Sequence, residues 1–297
     1  MVAGAAAIAC VILSSACQGD PAPPTPPAAC PDFTSPGAAT AMVGQLVAAA
    51  KSSDVVMVEV RPLEVDVSVL VDQRPVTWAC RGGVIDQVAS DIAYVDQASF
   101  DPSGFDFGDV GALFRAAGAL SGSSSNQRLQ IVDYSGGRVM MSVATDPESR
   151  TVFFNPDGSL LEDLDFATQG GIARGLREVV GQLPAVTQVS ITSDRSVWAD
   201  HPGGDPGTVT RRMRTATVPV TTITRQSGAS ASFSPSLVRP DVVWSVVQGQ
   251  LGSTPTAGTS WSVVIEDRDS LGAPRMFFSF PTGQMVTDLA GRPVGSP

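Results

Sequence analysis

The feature that most constrains this chain is its own recurrence. Val43-Gly44-Gln45-Leu46 returns as Val180-Gly181-Gln182-Leu183, and a β-rich run follows each, Val55–Val60 in one place and Val186–Ile191 in the other. Ser68-Val69 with Asp72 returns as Ser196-Val197 with Asp200. Ala98-Ser99-Phe100-Asp101-Pro102-Ser103 returns as Ala231-Ser232-Phe233-Ser234-Pro235-Ser236, and Phe153-Phe154 ahead of Gly158 as Phe277-Phe278 ahead of Gly283. The order is kept, and the spacing stays between 124 and 137 residues. A long, steady period signals a repeated structural unit. The 297 residues therefore divide into two domains, 38–166 and 167–297, each of ordinary domain size.

Each copy divides again. In Ala39–Ala50, Met42, Val43, Leu46 and Val47 share one side at helical spacing. Strands are expected over Val55–Val60, Val65–Val71 and Val76–Cys80. Asp109 is placed to cap a helix over Val110–Leu120. Strands at Leu129–Tyr134, Arg138–Ala144 and Thr151–Asn155 follow, then a Pro156-Asp157-Gly158 turn and a further strand over Leu160–Phe166. The second copy repeats the order: helix Ile172–Leu183, strands Thr187–Ile191, Ser196–Ala199 and Val209–Val218, helix Asp241–Leu251, strands Trp261–Glu266, Met276–Phe280 and Gln284–Leu289. Four helix–strand–strand–strand units predict an α+β fold of two duplicated domains. Each is an antiparallel sheet with two helices packed on one face, its other face left to solvent.

The N-terminus reads as an export address. Residues 1–16 are rich in Ala, Ile, Val and Leu, carry no charged side chain, and end in Leu13-Ser14-Ser15-Ala16 before Cys17. Residues 17–37 include Asp20-Pro21-Ala22-Pro23-Pro24-Thr25-Pro26-Pro27, which favours polyproline II and works as a spacer of ~3 Å per residue. Of four cysteines, Cys10 falls in the signal and Cys17 directly follows it, leaving Cys30 and Cys80 to pair in an oxidising compartment. No apolar run reaches the ~18 residues of a membrane-spanning helix. A net charge of −10 works against phosphate backbones, so no nucleic acid is expected as a partner.

A small residue before Cys17 behind a short apolar run resembles a bacterial lipobox, which implies a lipid on Cys17 and an anchor in the outer leaflet of the cell membrane, with plain secretion as the alternative. Lys51 is the single lysine among 19 basic residues, a bias similar to that of actinobacterial envelope proteins. A helix with three strands, closing on Asn155-Pro156-Asp157-Gly158-Ser159, resembles the PepSY-type unit of exported bacterial proteins. Two such units per domain, in tandem, resemble the β-lactamase inhibitor protein architecture. The resemblance implies a non-catalytic binding or inhibitory module whose partner is an envelope protein or a cell-wall or lipid component.

Residues for catalysis are sparse. His201 is the only histidine, among loop formers, and no strained nucleophile turn accompanies it. Clustered metal ligands at zinc spacing are missing, and Asp101, Asp106 and Asp109 read as turn formers and a helix cap rather than a calcium loop. No catalytic residue, metal or cofactor is assigned. The binding candidates are Arg212 and Arg214, which strand alternation places on one face, and Trp78 and Trp198, which fall at comparable sites in the two copies. A lipid carrier with an apolar cavity between helices and sheet, and an envelope hydrolase of unfamiliar type, are the other readings.

Overall fold

The computed structural model describes residues 30–90, 97–135, 138–148, 150–193, 195–227, 231–252, 259–268 and 272–295. The export signal, Cys17 and the proline run lie outside them. In the first half α1 (Ala38–Ala50) precedes β1 (Val55–Arg61), β2 (Glu64–Val71), β3 (Arg74–Arg81) and β4 (Val84–Val88). A 3₁₀ turn (Pro102–Gly104) then leads into α2 (Val110–Ser121), β5 (Arg128–Ser135), β6 (Arg138–Ala144) and β7 (Val152–Phe154). The second half has α3 (Gln169–Val180), β8 (Gln188–Thr192), β9 (Ser196–Pro202), β10 (Thr208–Thr215) and β11 (Thr221–Gln226). A 3₁₀ turn (Pro235–Leu237), α4 (Pro240–Leu251), β12 (Ser262–Glu266), β13 (Arg275–Phe280) and β14 (Gly283–Thr287) complete it.

The fold is α+β, with four helices and two antiparallel seven-stranded sheets ordered β4-β3-β2-β1-β5-β6-β7 and β11-β10-β9-β8-β12-β13-β14. The two orders are the same once numbering is set aside. Each sheet has its first and fifth strands paired at the middle, Val58 opposite Ile131 and Val189 opposite Ile265. Alternate strand positions bury with the apolar stripe of the helices. Met42, Val43 and Leu46 of α1 and Leu113, Phe114 and Ala117 of α2 share a core with Val58, Val60, Val65 and Val67. Ile172, Leu176 and Val179 of α3 and Val243, Trp244 and Val247 of α4 share one with Val189, Ile191, Val197 and Ala199. Asp109 caps α2 through Ala112 N at 2.7 Å, and Thr168 caps α3 through Gly171 N at 3.1 Å.

Several expectations are corrected. β4 and β11 extend the first hairpin series of each half from three strands to four. Both are edge strands, largely exposed; without a buried face they carry no alternation for a sequence pattern to register. Leu160–Phe166 is not a strand: only Leu160 bridges to Phe154, while Leu164 and Phe166 bury in the second core. At the other end Phe33, placed in the linker by sequence, is fully buried in the first core. Each half thus begins a few residues before its helix, at Asp32-Phe33 and at Asp165-Phe166. Both aspartates accept a backbone N–H two residues on, from Thr34 and Ala167 at 2.9 and 2.8 Å.

The repeat register changes accordingly. Ala39, Met42, Val43 and Leu46 bury in α1, and Ile172, Gly175, Leu176 and Val179 in α3, a constant shift of 133. The Val43-Gly44 and Val180-Gly181 match is off by one helical turn, because Gly181 caps the end of α3. Phe153-Phe154 lies on the last strand of its sheet and Phe277-Phe278 on the penultimate one, so those pairs do not correspond. The Phe100 and Phe233 match holds at the same shift of 133: Phe100 bridges to Val55 and Phe233 to Val186.

Cys30 is bonded to Cys80 of β3, with 6.0 Å between Cα atoms and a sequence separation of 50. The bond fastens the segment entering the first half to the sheet. Closing a loop of that length restricts the unfolded chain. Cys80→Ser is expected to lower the stability of the first half by about 2–4 kcal/mol, read as a lower melting temperature in the absence of reductant, and reductant should no longer shift the variant's transition.

Candidate functional site

The third strands of the two halves together carry four of the residues that the sequence singles out. Counting strand pairs outward from Val58 and Val189, Val67 corresponds to Ala199 and Val65 to Val197. Their partners on the third strands are Trp78 and Cys80 on β3, and Arg212 and Arg214 on β10. All four therefore face the helices. Trp78 is half-buried against the first core. Arg212 donates from Nη2 to the Glu178 carbonyl of α3 at 3.1 Å, near the helix C-terminus, where a cation is favoured. Arg214 has no exposed surface. Its Nε reaches Glu178 Oε2 at 2.8 Å, its Nη2 the Glu162 carbonyl at 2.9 Å, and its Nη1 the carbonyls of Thr215, Ala216 and Val218. With its donors taken up inside the molecule, Arg214 holds the entry segment of the second half to β10. Strand alternation does put Arg212 and Arg214 on one face, but Arg214 there is fully covered and offers no surface to a ligand.

Trp198 corresponds to Asp66 rather than to Trp78, and it points to the opposite side of its sheet from Val197 and Ala199. The Arg211 guanidinium stacks over its ring, 3.4 Å from the centroid. Arg211 also grips Asp200 with two bonds, at 2.7 and 2.9 Å, and Arg225 adds a third at 2.7 Å. Asp200 is buried at 2% exposure, so this planar two-arginine clamp compensates its charge where water does not.

The first sheet carries a different network. Glu59 and Asp66 stand directly opposite one another on β1 and β2, a like-charge pair that costs stability. Arg61 bonds Glu59 at 2.6 Å, and Arg81 bonds Glu64 at 2.6 Å and Asp66 at 2.8 Å. Three carboxylates share two guanidiniums, and Asp66 Oδ1 is buried without a hydrogen-bond partner. Burial, then the neighbouring Asp66, pushes the Glu64 carboxyl above its ordinary range.

A groove of about 470 Å³ runs between α1 and the loop after the 3₁₀ turn, with Val43, Val47, Pro102, Phe105 and Phe107 among its walls. Phe105 is braced edge-on by Phe100, ring centroids 5.6 Å apart. Gly44 opens onto the groove from the middle of α1, and a Cβ built there meets nothing within 4 Å. A glycine inside a helix costs about 1 kcal/mol relative to alanine. At Gly175 of α3 packing accounts for that cost, since a Cβ would lie 2.7 Å from the Phe166 ring. At Gly44 no packing does; its effect is to leave the groove open. Asp101 and Asp106 stand on the rim, and the adjoining hollows add Asp157 and Asp54. No arginine or lysine lines any of the three. Amide and hydroxyl donors from Ser103 hold the Asp101 carboxyl below its usual range, and those of Ser159 do the same for Asp157.

The groove was not visible to sequence reasoning. Its signals are a helix glycine with open space beside it, a property that Gly249 of α4 shares, and a length difference after the 3₁₀ turns. Phe105 is followed by Asp106, Phe107 and Gly108 before Asp109 caps α2, whereas Val238 is followed directly by Arg239, the residue preceding α4. A larger concavity of about 720 Å³ mixes Arg61 and Arg128 with Asp146 and Glu148, so it offers no single charge preference. His201 sits at the end of β9 rather than in a loop, its Nδ1 2.9 Å from the Pro202 carbonyl. Glu162 is paired with Arg174 and Asp163 with Arg150. Asp101, Asp106 and Asp109 each accept a backbone N–H two or three residues on. Among the described residues, no group of three or more His, Cys, Asp or Glu side chains is arranged to hold a metal ion.

Arg214→Ala is expected to destabilise the second half by about 3 kcal/mol, since it strands Glu178 and several buried carbonyls; Arg214→Lys should recover little, because an ammonium cannot span those acceptors. Calorimetry of both variants checks this. For Glu64 the raised folded pKa means that ionisation opposes folding: its favourable contribution is complete below the unfolded carboxyl range and is lost as pH rises through the folded value. Glu64→Gln should therefore raise the melting temperature by roughly 1–3 °C at pH 7, and the gain should vanish below about pH 4, where the wild-type carboxyl is protonated.

No protein-family model matches the chain, and no curated protein does. Among solved structures it is similar to the DNA polymerase III beta subunit of Thermotoga maritima, at 10% identity and a TM-score of 0.17, over 87% of this chain and 64% of that one. The H. pylori beta clamp in complex with 5-chloroisatin gives 9% identity and a TM-score of 0.18, over 86% and 61%. The Helicobacter pylori beta clamp bound to DNA ligase peptide gives 8% and 0.16, over 86% and 64%. The chain thus spans less than two thirds of these proteins, and likeness at such scores assigns neither fold family nor function.

Proposed function

We propose that this chain is a non-catalytic binding module of the bacterial cell envelope, tethered by a lipid on Cys17 and held off the membrane by the proline-rich spacer ahead of Cys30. Its two halves, 38–166 and 167–297 in the sequence reading and each extended upstream to its Asp-Phe pair, descend from one copied unit with two helices on one sheet face. The observation that carries the binding role is the apolar groove beside Gly44, kept open at a cost to α1 that packing does not explain. Supporting it, the strongly interacting ionisable groups of the sheet faces are tied to one another, Asp200 with Arg211 and Arg225, Asp66 with Arg81. Such pairing favours a fixed shape over proton transfer. The space between helices and sheet is filled by residues such as Leu46, Val67, Ile172 and Val189, each fully buried, which favours a surface groove over an internal lipid cavity.

The anchor is tested by expressing the full chain in an actinobacterial host. Intact mass of the mature protein is expected to fit a diacylglyceryl cysteine at Cys17 as the first residue, and Cys17→Ala should move the protein from the membrane to the soluble fraction. A mature form that begins elsewhere, or a Cys17→Ala protein still on the membrane, overturns the anchor.

A further inference from the structure

The two halves act as an internal control for the groove. At the shift of 133 that relates α1 to α3, Gly44 corresponds to Arg177, and Asp101 to Ser234. The three residues Asp106, Phe107 and Gly108 have no counterpart, because Val238 runs directly into Arg239 and α4. In the second half α3 packs against α4. In the first, the extra loop stands beside α1, buries Phe107 at 2% exposure and turns Asp106 to solvent. One scaffold thus carries an arginine beside packed helices in one copy and an open groove with an acidic rim in the other. The opening requires both a deleted side chain and an added loop, and the loop brings its own carboxylate.

Resting on the binding role proposed above, we infer that the groove of the first half receives an amphipathic, basic segment of a partner protein, its apolar side chains on Val43, Val47, Pro102 and Phe105 and its cations facing Asp101, Asp106, Asp54 and Asp157. The charge is complementary in one direction only, since the lining of the groove and its adjoining hollows has four carboxylates and no cation. The rim carboxylates already accept backbone N–H groups, from Ser103 to Asp101 at 2.9 Å and from Gly108 to Asp106 at 3.1 Å. Those bonds fix their direction before a ligand arrives and lower the ordering cost of binding. An apolar stripe laid in a groove with charged edges is a familiar mode of helical-peptide recognition.

The test titrates the full chain with a fluorescein-labelled 14-residue helical peptide of leucine and lysine, its leucine and glutamate counterpart, and palmitoyl-lysophosphatidylcholine. Saturable binding of the lysine peptide is expected, with the glutamate peptide at least tenfold weaker. Asp101→Asn with Asp106→Asn keeps an acceptor oxygen for each turn and should weaken the lysine peptide at least fivefold. Gly44→Leu fills the groove, leaves the net charge unchanged and favours the helix, so it should abolish binding while the melting temperature holds or rises. That variant separates groove occupancy from general attraction to a chain of net charge −10. Equal binding of the two peptides, or lysine-peptide binding unchanged in Gly44→Leu, overturns the inference. Binding of the lysolipid alone, lost in Gly44→Leu, overturns the basic-segment occupant and leaves the binding role standing. No Gly44-dependent binding of any of the three probes overturns both.

Discussion

Each half of this protein depends on holding its entry segment against the third strand of its sheet. That segment carries a phenylalanine, Phe33 or Phe166, buried at 0% and 2% exposure. Unlike the strands, it has few backbone partners of its own, such as Phe33 N to the Pro62 carbonyl and Leu164 N to the Ala216 carbonyl. Ordering a residue costs about 1–2 kcal/mol of backbone entropy, so burying the phenylalanine alone leaves little margin for the strap around it. The missing stabilisation comes from the third strand, at corresponding positions and by unrelated chemistry. In the first half Cys80 takes a covalent bond from Cys30. In the second, Arg214 stands where Cys80 would and bonds the Glu162 carbonyl just upstream of Leu164.

The two locks differ in what they tolerate. A disulfide acts largely on the unfolded chain and persists where the surroundings are oxidising. A buried guanidinium is indifferent to redox state but demands that its hydrogen-bonding capacity be met, because an unmatched buried charge costs several kcal/mol. Arg214 meets the demand with one carboxylate and four carbonyls. The carbonyls come from the turn after β10 and from the strap, so the lock also defines the path of both segments. This accounts for the tight corner at Thr215–Val218 without a glycine. It also explains why a strand arginine on an acidic chain belongs to the interior.

What was legible in the sequence follows from the same physics. Helices with an apolar stripe, and strands with one buried face, announced themselves by period, and every helix expected over α1 to α4 is present. The edge strands β4 and β11 bury almost nothing, so their pattern carried no signal. Register was the weakest point. Matching Ser68-Val69 to Ser196-Val197 slipped by four residues, since the position that pairs like Ser68 is Asp200; Trp78 and Trp198, expected at comparable sites, stand on the third strand of one half and the second strand of the other, and on opposite faces. In a helix, matching Val43-Gly44 to Val180-Gly181 slipped by one turn and hid the contrast between Gly44 and Arg177. The Asp32-Phe33 and Asp165-Phe166 pair, 133 residues apart, sets the helical register. Asp32-Phe33 lies close behind a proline-rich run that reads as linker, which masks the match.

The corrected register changes what the two halves mean to each other. Once Gly44 is aligned with Arg177 and the Asp106-Phe107-Gly108 loop is seen as additional, the groove is no longer a chance irregularity on one helix. Two departures that are distant in sequence, one removing volume and one adding a wall, meet along a single flank of α1. Either alone yields little. Without the loop, a glycine on a solvated helix face merely weakens the helix; without the glycine, the loop stands against a side chain in the space it encloses. That they coincide in the half whose entry strap is locked covalently gives the groove a firm floor, since Leu46 beneath it packs in the same core as Phe33 and Cys80. A binding surface built on fixed elements in this way spends little of its affinity on ordering itself, which is the physical ground for placing the proposed recognition at the groove rather than at the arginines and tryptophans of the strands.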